Sequence, residues 1–421
     1  MKNMLLLAAI IIGGAGVVFG QAATPVDTSI KVTVTKLADH IYKTTCKAEF
    51  ETNQTVSVGP DGLLLVDVGL ARTAPALADT LKKLGNGRVR IVINTHAHDD
   101  HASGNFVFKD SAVIIAQRNA AGNIGGGYYS LPPIRNDNSP TKVFDDTLTI
   151  KFNGEEVRLK HVPNAHTDGD LIVHFVGSGV VCVGDLIFPD NIPFIDLSLS
   201  GSPAGYIRNL QTLLDTYPPE VQYIAGHGRV YSRADLEKYH AAMAQMADLV
   251  GRAAAAGKTA EQMKTEKLLG AWASWNGPWA TTTVDYLTDI LYRETTASAG
   301  KLKPPIAVPL TAMIVAQGIG PAVEQYHRLK KERPDDFDFG EEGMNTLGYQ
   351  LLSRGLINEA ATIFRLNVEA YPASFNVYDS YGEALLARGD TARAVIHYKK
   401  SLELNPKNTN AVQVLSKLGV K

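Results

Sequence analysis

The stretch Ile91-Val92-Ile93-Asn94-Thr95-His96-Ala97-His98-Asp99-Asp100-His101 constrains this chain more than any other. A continuous apolar run, expected where both faces of a strand are covered, ends in the hexad His-x-His-x-Asp-His. Three of the chain's 11 histidines fall within these six positions. Imidazole and carboxylate are natural ligands for zinc-like metals. In a loop leaving a strand, donors two residues apart converge on one ion, and the adjacent Asp100-His101 pair faces a second. The plain alternative is a solvated polar loop or a helix cap, with Asp99 or Asp100 as the cap.

Three further segments follow in order. His166 lies in Pro163-Asn164-Ala165-His166-Thr167-Asp168-Gly169-Asp170, a turn between strands. Asp185 follows the strand-like run Gly179-Val180-Val181-Cys182-Val183. His227 stands between glycines in Ile224-Ala225-Gly226-His227-Gly228, after another apolar run. A lone histidine is more often a satisfied structural residue. Four elements in this order, each at a strand exit, make a joint signal for a metal centre.

This pattern closely resembles the metallo-β-lactamase-fold hydrolases. The resemblance covers about residues 30–231, and the Ala-rich helical stretch to 300 extends it. It implies an α/β fold, an αβ/βα sandwich with a dinuclear metal site at one edge. By the match, His96, His98 and His166 hold the first metal. Asp100, His101 and His227 hold the second, and Asp185 bridges both. Asp67, in Leu65-Val66-Asp67-Val68-Gly69, matches the family's buried aspartate, which supports the metal loop without being a ligand. Two zinc ions are the implied cofactors, and the same donors accept iron, manganese or cobalt. Such a pair supplies a hydroxide nucleophile near neutral pH and stabilises an oxyanion. Asp100 is the implied catalytic residue, holding the nucleophile and relaying a proton. Asp99 reads as a surface acid.

Departures from subgroup patterns narrow the chemistry. The β-lactamases with a cysteine ligand carry Cys where Asp185 stands, and a lysine shortly after it. Here Cys182 is three residues too early, and Leu186-Ile187-Phe188-Pro189 contains no lysine. The complete seven-ligand set resembles glyoxalase II and the acyl-homoserine lactonases, but residues 233–300 show no basic glutathione-binding motif. The expected function is therefore an exported dinuclear hydrolase of a carbonyl substrate: a lactone, ester, thioester or amide. The alternatives are a genuine antibiotic-hydrolysing β-lactamase, or a protein-binding scaffold with a vestigial or structural metal domain. Phe188 to Ile195 reads as a pocket wall and Gly125-Gly126-Gly127-Tyr128-Tyr129 as a flap; ordinary loop packing is the alternative for each.

The remaining sequence sets the organisation. Lys2, the apolar run Met4–Ile12 and the small residues to Ala23 form the pattern of a secretory signal, residues 1–23. That predicts a periplasmic or secreted protein with no stable membrane span after cleavage; an uncleaved anchor is the alternative. In such a compartment Cys46 and Cys182 can pair, although Cys182 reads as a buried free thiol. The hydrolase domain is expected over 30–300. Pro304, Pro305 and Pro309 mark a linker over 301–320. From 321 to 421 the chain reads as helical. Gly348, Gly355, Ala360, Phe364 and Pro372 recur as Gly382, Gly389, Ala394, Tyr398 and Pro406, each at one constant spacing. A period of about 34 residues resembles tetratricopeptide repeats, implying a protein partner or self-association. Two repeats are few for a solenoid, and the amphipathic segment 321–332 is the candidate for the missing packing surface. With 41 Lys plus Arg against 43 Asp plus Glu, the net charge of −2 gives no electrostatic footprint for nucleic acid. The expected substrate is a small molecule.

Overall fold

The computed structural model describes residues 30–48, 51–124, 138–277, 280–297, 303, 305–353 and 355–420. The expected signal segment and the Gly125–Tyr129 stretch lie outside the described residues. Seven strands form the first sheet in chain order: β1 (Lys31–Lys36), β2 (Ile41–Lys47), β3 (Glu51–Gly59), β4 (Gly62–Val66), β5 (Val89–Ile93), β6 (Val113–Gln117) and β7 (Lys142–Phe144). The first four are an antiparallel meander, and β4 to β7 run parallel. Gly59 pairs with Gly62 across the turn of the β3–β4 hairpin, where Asp61-Gly62 stands between two apolar runs. The second sheet holds β8 (Thr147–Phe152), β9 (Glu155–Val162), β10 (Asp170–Phe175), β11 (Val180–Gly184), β12 (Gln222–Ala225) and β13 (Val230–Tyr231), with only β11 and β12 parallel.

The sheets stack through their inner faces. Leu64, Val66, Ile93 and Ile115 of the first meet Leu159, Val173, Cys182 and Ile224 of the second. Side chains alternate across a strand, so Leu63 and Leu65 point the other way. There they pack on Leu77 and Leu81 of α1 (Ala74–Leu81). Short helices α2 (Asp99–Ala102) and α3 (Arg118–Asn123) follow β5 and β6. The outer face of the second sheet is covered by α4 (Pro203–Thr216), α5 (Arg233–Ala255), α6 (Ala260–Thr265) and α7 (Val284–Thr296). Tyr206, Leu213, Tyr239, Met243, Met246 and Leu287 are buried in that layer. The layering is αβ/βα, and the helices to residue 296 share a core with the sandwich.

The segment 301–320 is not a bare linker. It carries α8 (Ala307–Gln317), and α9 (Ile319–Glu332) begins within it. Pro309 is tolerated because it occupies the first turn, where backbone N–H groups have no helical acceptor. Ile306, Leu310 and Ile314 are buried in the core of the helical region. The chain continues with α10 (Glu341–Ser353), α11 (Ile357–Ala370), α12 (Phe375–Ala387), α13 (Thr391–Leu404) and α14 (Thr409–Lys417). The first helices of successive pairs start at Ala307, Glu341, Phe375 and Thr409, each 34 residues after the last. Helix pairs therefore begin one period earlier than the sequence suggests. The α8–α9 pair supplies the packing surface that two repeats lack. Gly348 lies against the ring of Phe364, and 34 residues later Gly382 lies against Tyr398. Cys46 and Cys182 are free and buried, and burial pushes both thiols up to about 12. No described helix is long and apolar enough to cross a membrane.

Candidate metal centre

The exits of β5, β9, β11 and β12 lie at one edge of the sandwich. His96 and His98 leave β5, and Asp100 and His101 sit in α2 directly after it. His166 lies in the turn between β9 and β10, Asp185 follows β11, and His227 follows β12. One donor atom from each of His96, His98, His166 and Asp185 lies within 4.8 Å of the others. Asp100, His101 and His227 form a second group by the same measure. Asp185 faces both groups. Its Oδ1 is 3.3 Å from His101 Nε2; its Oδ2 is 3.4 Å from His227 Nε2 and 3.8 Å from His166 Nε2. Asp100 Oδ2 is 3.2 Å from His227 Nε2 and 3.5 Å from His101 Nε2.

The outer nitrogens show which atoms face inward. His101 Nδ1 donates to Asp67 Oδ2 at 2.8 Å. The same carboxylate accepts Thr95 N at 2.7 Å and Thr95 Oγ1 at 2.8 Å. Thr95 Oγ1 is also 3.1 Å from His96 Nδ1. His166 Nδ1 donates to the Phe194 carbonyl at 2.7 Å, and His227 Nδ1 to the Glu51 carbonyl at 2.6 Å. These four rings turn Nε2 to the centre. His98 is reversed: its Nε2 meets Asp196 Oδ2 at 2.9 Å. Its Nδ1 then lies 3.0 Å from His96 Nε2 and 2.9 Å from His166 Nε2. Such outer partners fix tautomer and ring orientation in metal sites.

These donors fit divalent cations. His101 Nε2 and Asp185 Oδ1 are buried with no hydrogen-bond partner, which is costly unless something else satisfies them. Gly226 leaves room where a Cβ would stand 2.2 Å from Asp185 Oδ1 and 2.4 Å from His101 Cε1. Electrostatics agree. Burial opposes ionisation of Asp185, yet His227 and His101 hold it well below the carboxylate range. Burial opposes protonation of His227, but the carboxylates of Asp185 and Asp100 push it up to about 10. Burial, then His98, lowers His166 to about 4. Without cations the centre holds protons between imidazoles and carboxylates, and metal binding replaces protons at such donors.

The centre opens into a cavity of about 700 Å³. Leu70, Phe188, Ile192 and Phe194 give it an apolar wall, and Asp100 and His227 reach into it. Phe188 stacks on His227 with centroids 6.0 Å apart, and Phe194 on His98 at 5.7 Å. The expected wall over 188–195 thus borders the cavity. Asp99 is exposed and lines its mouth. The sequence reading missed Asp196 and the carbonyls of Glu51 and Phe194. Carbonyl roles leave no mark on residue type. Asp196 lies one residue beyond the apolar run that drew notice.

Residues 49–249 match the family model described as the metallo-beta-lactamase superfamily. A hydroxyacylglutathione hydrolase of Acidiphilium cryptum is 30% identical over 190 residues, spanning 44% of this chain and 70% of that protein. The chain belongs to the metallo-beta-lactamase superfamily. A second hydroxyacylglutathione hydrolase, of Gloeobacter violaceus, is 32% identical over 121 residues, or 28% of this chain. There the match spans only 42% of the relative's length. Among solved structures, the stereoselective inverting sec-alkylsulfatase Pisa1 of Pseudomonas sp. aligns with a TM-score of 0.52 at 14% identity. It covers 90% of this chain and 66% of its own, which is a likeness of fold. As a metallo-beta-lactamase superfamily member the chain is a metal-dependent hydrolase.

Proposed function

We propose that this hydrolase binds two divalent cations, zinc by preference, and cleaves a carbonyl substrate (a lactone, ester, thioester or amide). The observation that carries the reading is Asp185 standing between the two donor groups, within 3.8 Å of nitrogens from both. When bound, the cations supply a hydroxide nucleophile near neutral pH and a positive field for the developing oxyanion. His96, His98 and His166 are the donors for the first position, Asp100, His101 and His227 for the second, with Asp185 shared. Asp67 holds His101 and, through Thr95, His96. Asp100 faces the cavity, where its carboxylate oxygen holds the nucleophile's proton and passes it to the leaving group. Phe188, Ile192 and Phe194 exclude water from one side and receive the substrate's apolar part.

The signal-like residues 1–23 support export to the periplasm or beyond. The 34-residue period supports a tetratricopeptide-type module, suited to a protein partner or to self-association. Two measurements test the catalytic reading. Elemental analysis of purified protein is expected to return close to two transition-metal ions per chain; zero or one overturns the dinuclear assignment. A panel of lactones, thioesters, β-lactams, sulfate esters and phosphodiesters, with His98→Ala as control, is expected to give metal-dependent turnover on the carbonyl compounds. Turnover confined to sulfate or phosphate esters overturns the carbonyl assignment, and no turnover at all favours a scaffold.

A further inference from the structure

One buried carboxylate beside the centre is not used in the catalytic reading above. Asp196 is 5% exposed and directly follows the apolar wall. Its Oδ2 meets His98 Nε2 at 2.9 Å. Its Oδ1 accepts Ser198 N at 2.8 Å and Leu199 N at 3.2 Å, and the Ser198 hydroxyl donates to it as well. Its own backbone N–H donates to the His166 carbonyl at 2.9 Å. Two residues earlier, the Phe194 carbonyl accepts His166 Nδ1. One short loop therefore anchors two donors of the first metal position. The carboxylate acts on His98 through its tautomer. An imidazole that donates from Nε2 presents its lone pair at Nδ1, and Nδ1 of His98 is the atom that meets His96 and His166.

We infer that Asp196 is a positioning residue of the first metal position: it holds His98 with the proton on Nε2 and Nδ1 turned inward, and so sets the affinity of that position apart from the second. This rests on the dinuclear reading. It adds a residue that neither the hexad nor the later ligand segments point to. The opposite side of the loop bears on function too. Asp196 and Ser198 line a second cavity of about 500 Å³, whose far wall includes Asn345, Thr346 and Asn376 of the helical region. The loop that carries this carboxylate is thus the wall between the metal centre and the repeats.

The test titrates zinc into chelator-treated full-length protein against a chromophoric chelator, resolving two affinities. Asp196→Ala is expected to weaken one of the two ions by about 10–100-fold, leaving the other within a few-fold of wild type. Asp196→Asn keeps one acceptor oxygen and is expected to fall between, as is Ser198→Ala, which removes one buttress of the carboxylate. Nitrogen-15 histidine spectra of the zinc-loaded protein should show a sharp, exchange-protected His98 Nε2–H resonance in wild type, lost to solvent exchange in Asp196→Ala. A merely structural role would lower thermal stability and weaken both ions together, which overturns the inference. Unchanged affinities in a folded variant also overturn it. If Asp196→Ala does not fold, Asp196→Asn and Ser198→Ala decide on the same readouts. A wild-type chain that binds fewer than two ions overturns the dinuclear reading itself, a result distinct from any variant's behaviour.

Discussion

Asp67 is the residue whose loss should separate folding from metal binding. Its carboxylate accepts three hydrogen bonds, from Thr95 N, Thr95 Oγ1 and His101 Nδ1, all at 2.7–2.8 Å. The residue is 3% exposed, and Thr95 and His101 are buried beside it. Hydrogen bonds to a charged group contribute about 1.5–3 kcal/mol each, but they do not add when they share an acceptor. Asp67→Ala also strands the buried donors Thr95 N and His101 Nδ1, while Thr95 Oγ1 keeps His96 Nδ1 as a partner, and it leaves alanine at φ 61°, a left-handed conformation costing about 1–2 kcal/mol. A total loss of about 3–5 kcal/mol follows, the usual range for breaking a buried charged pair. Asp67→Asn behaves differently. It is isosteric, and asparagine tolerates φ 61°. Its amide can keep the bond to Thr95 N only by turning NH₂ toward His101 Nδ1. His101 must then accept at Nδ1 and carry its proton on Nε2, the atom that faces Asp100 and Asp185. A protonated Nε2 cannot bind a cation. The expected result is a modest stability loss with zinc affinity at the second position reduced about 10–100-fold. Urea unfolding of the chelated protein and chelator-competition titration read the two effects separately. Wild-type zinc affinity in a folded Asp67→Asn protein would refute the tautomer argument; an unchanged urea midpoint in Asp67→Ala would refute the energetic one.

Further predictions concern the repeats, the outer helices and the cavity. An added Cβ at Gly348 would stand 2.5 Å from Phe364 Cε1, against a ring that is fully buried; at Gly382 the nearest approach to Tyr398 is 3.0 Å. Overpacking costs about 1–3 kcal/mol and the helix gains about 1 from Gly→Ala, so Gly348→Ala should destabilise the helical region while Gly382→Ala stays near wild type by limited proteolysis. Ser232 caps α5 in a capping box with Asp235, and Ser232→Ala should lower stability by about 1 kcal/mol, visible in the thermal midpoint of the chelated protein. Hydrogen bonding to Arg229, with help from Ser232, holds Asp235 well below its ordinary value; a depressed carboxyl stabilises above about pH 4 and loses that contribution as pH falls toward its folded value. Asp235→Asn should therefore flatten the acid limb of the stability profile and leave its neutral-to-basic shape unchanged. Phe188→Ala removes part of the apolar wall, and burial of one such side chain contributes about 1.5–3 kcal/mol. For esters with long acyl chains KM should rise about tenfold or more with little change in kcat, and acetyl esters should hardly respond.

Much of the site could be read in the sequence because ligand chemistry restricts residue type. A hexad of imidazoles and carboxylates has few structural uses, and His166, Asp185 and His227 follow apolar runs long enough to be recognised as strands. What holds those ligands was less legible. Asp67 was visible only through family resemblance, and the geometry gives its reason: a left-handed residue at the end of β4 aims a carboxylate at the segment leaving β5. The carbonyls of Glu51 and Phe194 orient His227 and His166 without any side-chain signature. Asp196 is an ordinary aspartate whose partner is 98 residues away in the chain.

The misread linker has a related cause. Prolines mark a boundary when they interrupt a helix, but at the first turn they interrupt nothing. Pro304 and Pro305 precede Ala307 and Pro309 follows it by two, so these prolines mark a helix start and not a break. The period settles the matter in a way composition does not. Helix starts at Ala307, Glu341, Phe375 and Thr409 keep one spacing although their sequences, AVPLT, EEGMN, FNVYD and TNAVQ, share almost nothing. What recurs is the volume at crossings, glycine against Phe364 and glycine against Tyr398. Where a repeat meets a different neighbour, that constraint relaxes and identity disappears while the spacing survives. The hydrolase domain meets the helical region just beyond the first pair: Arg293 of α7 pairs with Asp338, between α9 and α10, and the Asp338 carbonyl accepts Ile306 N at 2.8 Å. The first pair has no preceding repeat to match, so it escapes a search for self-similarity while Leu310, Ile314, Tyr326 and Leu329 still pack into the core of the helical region.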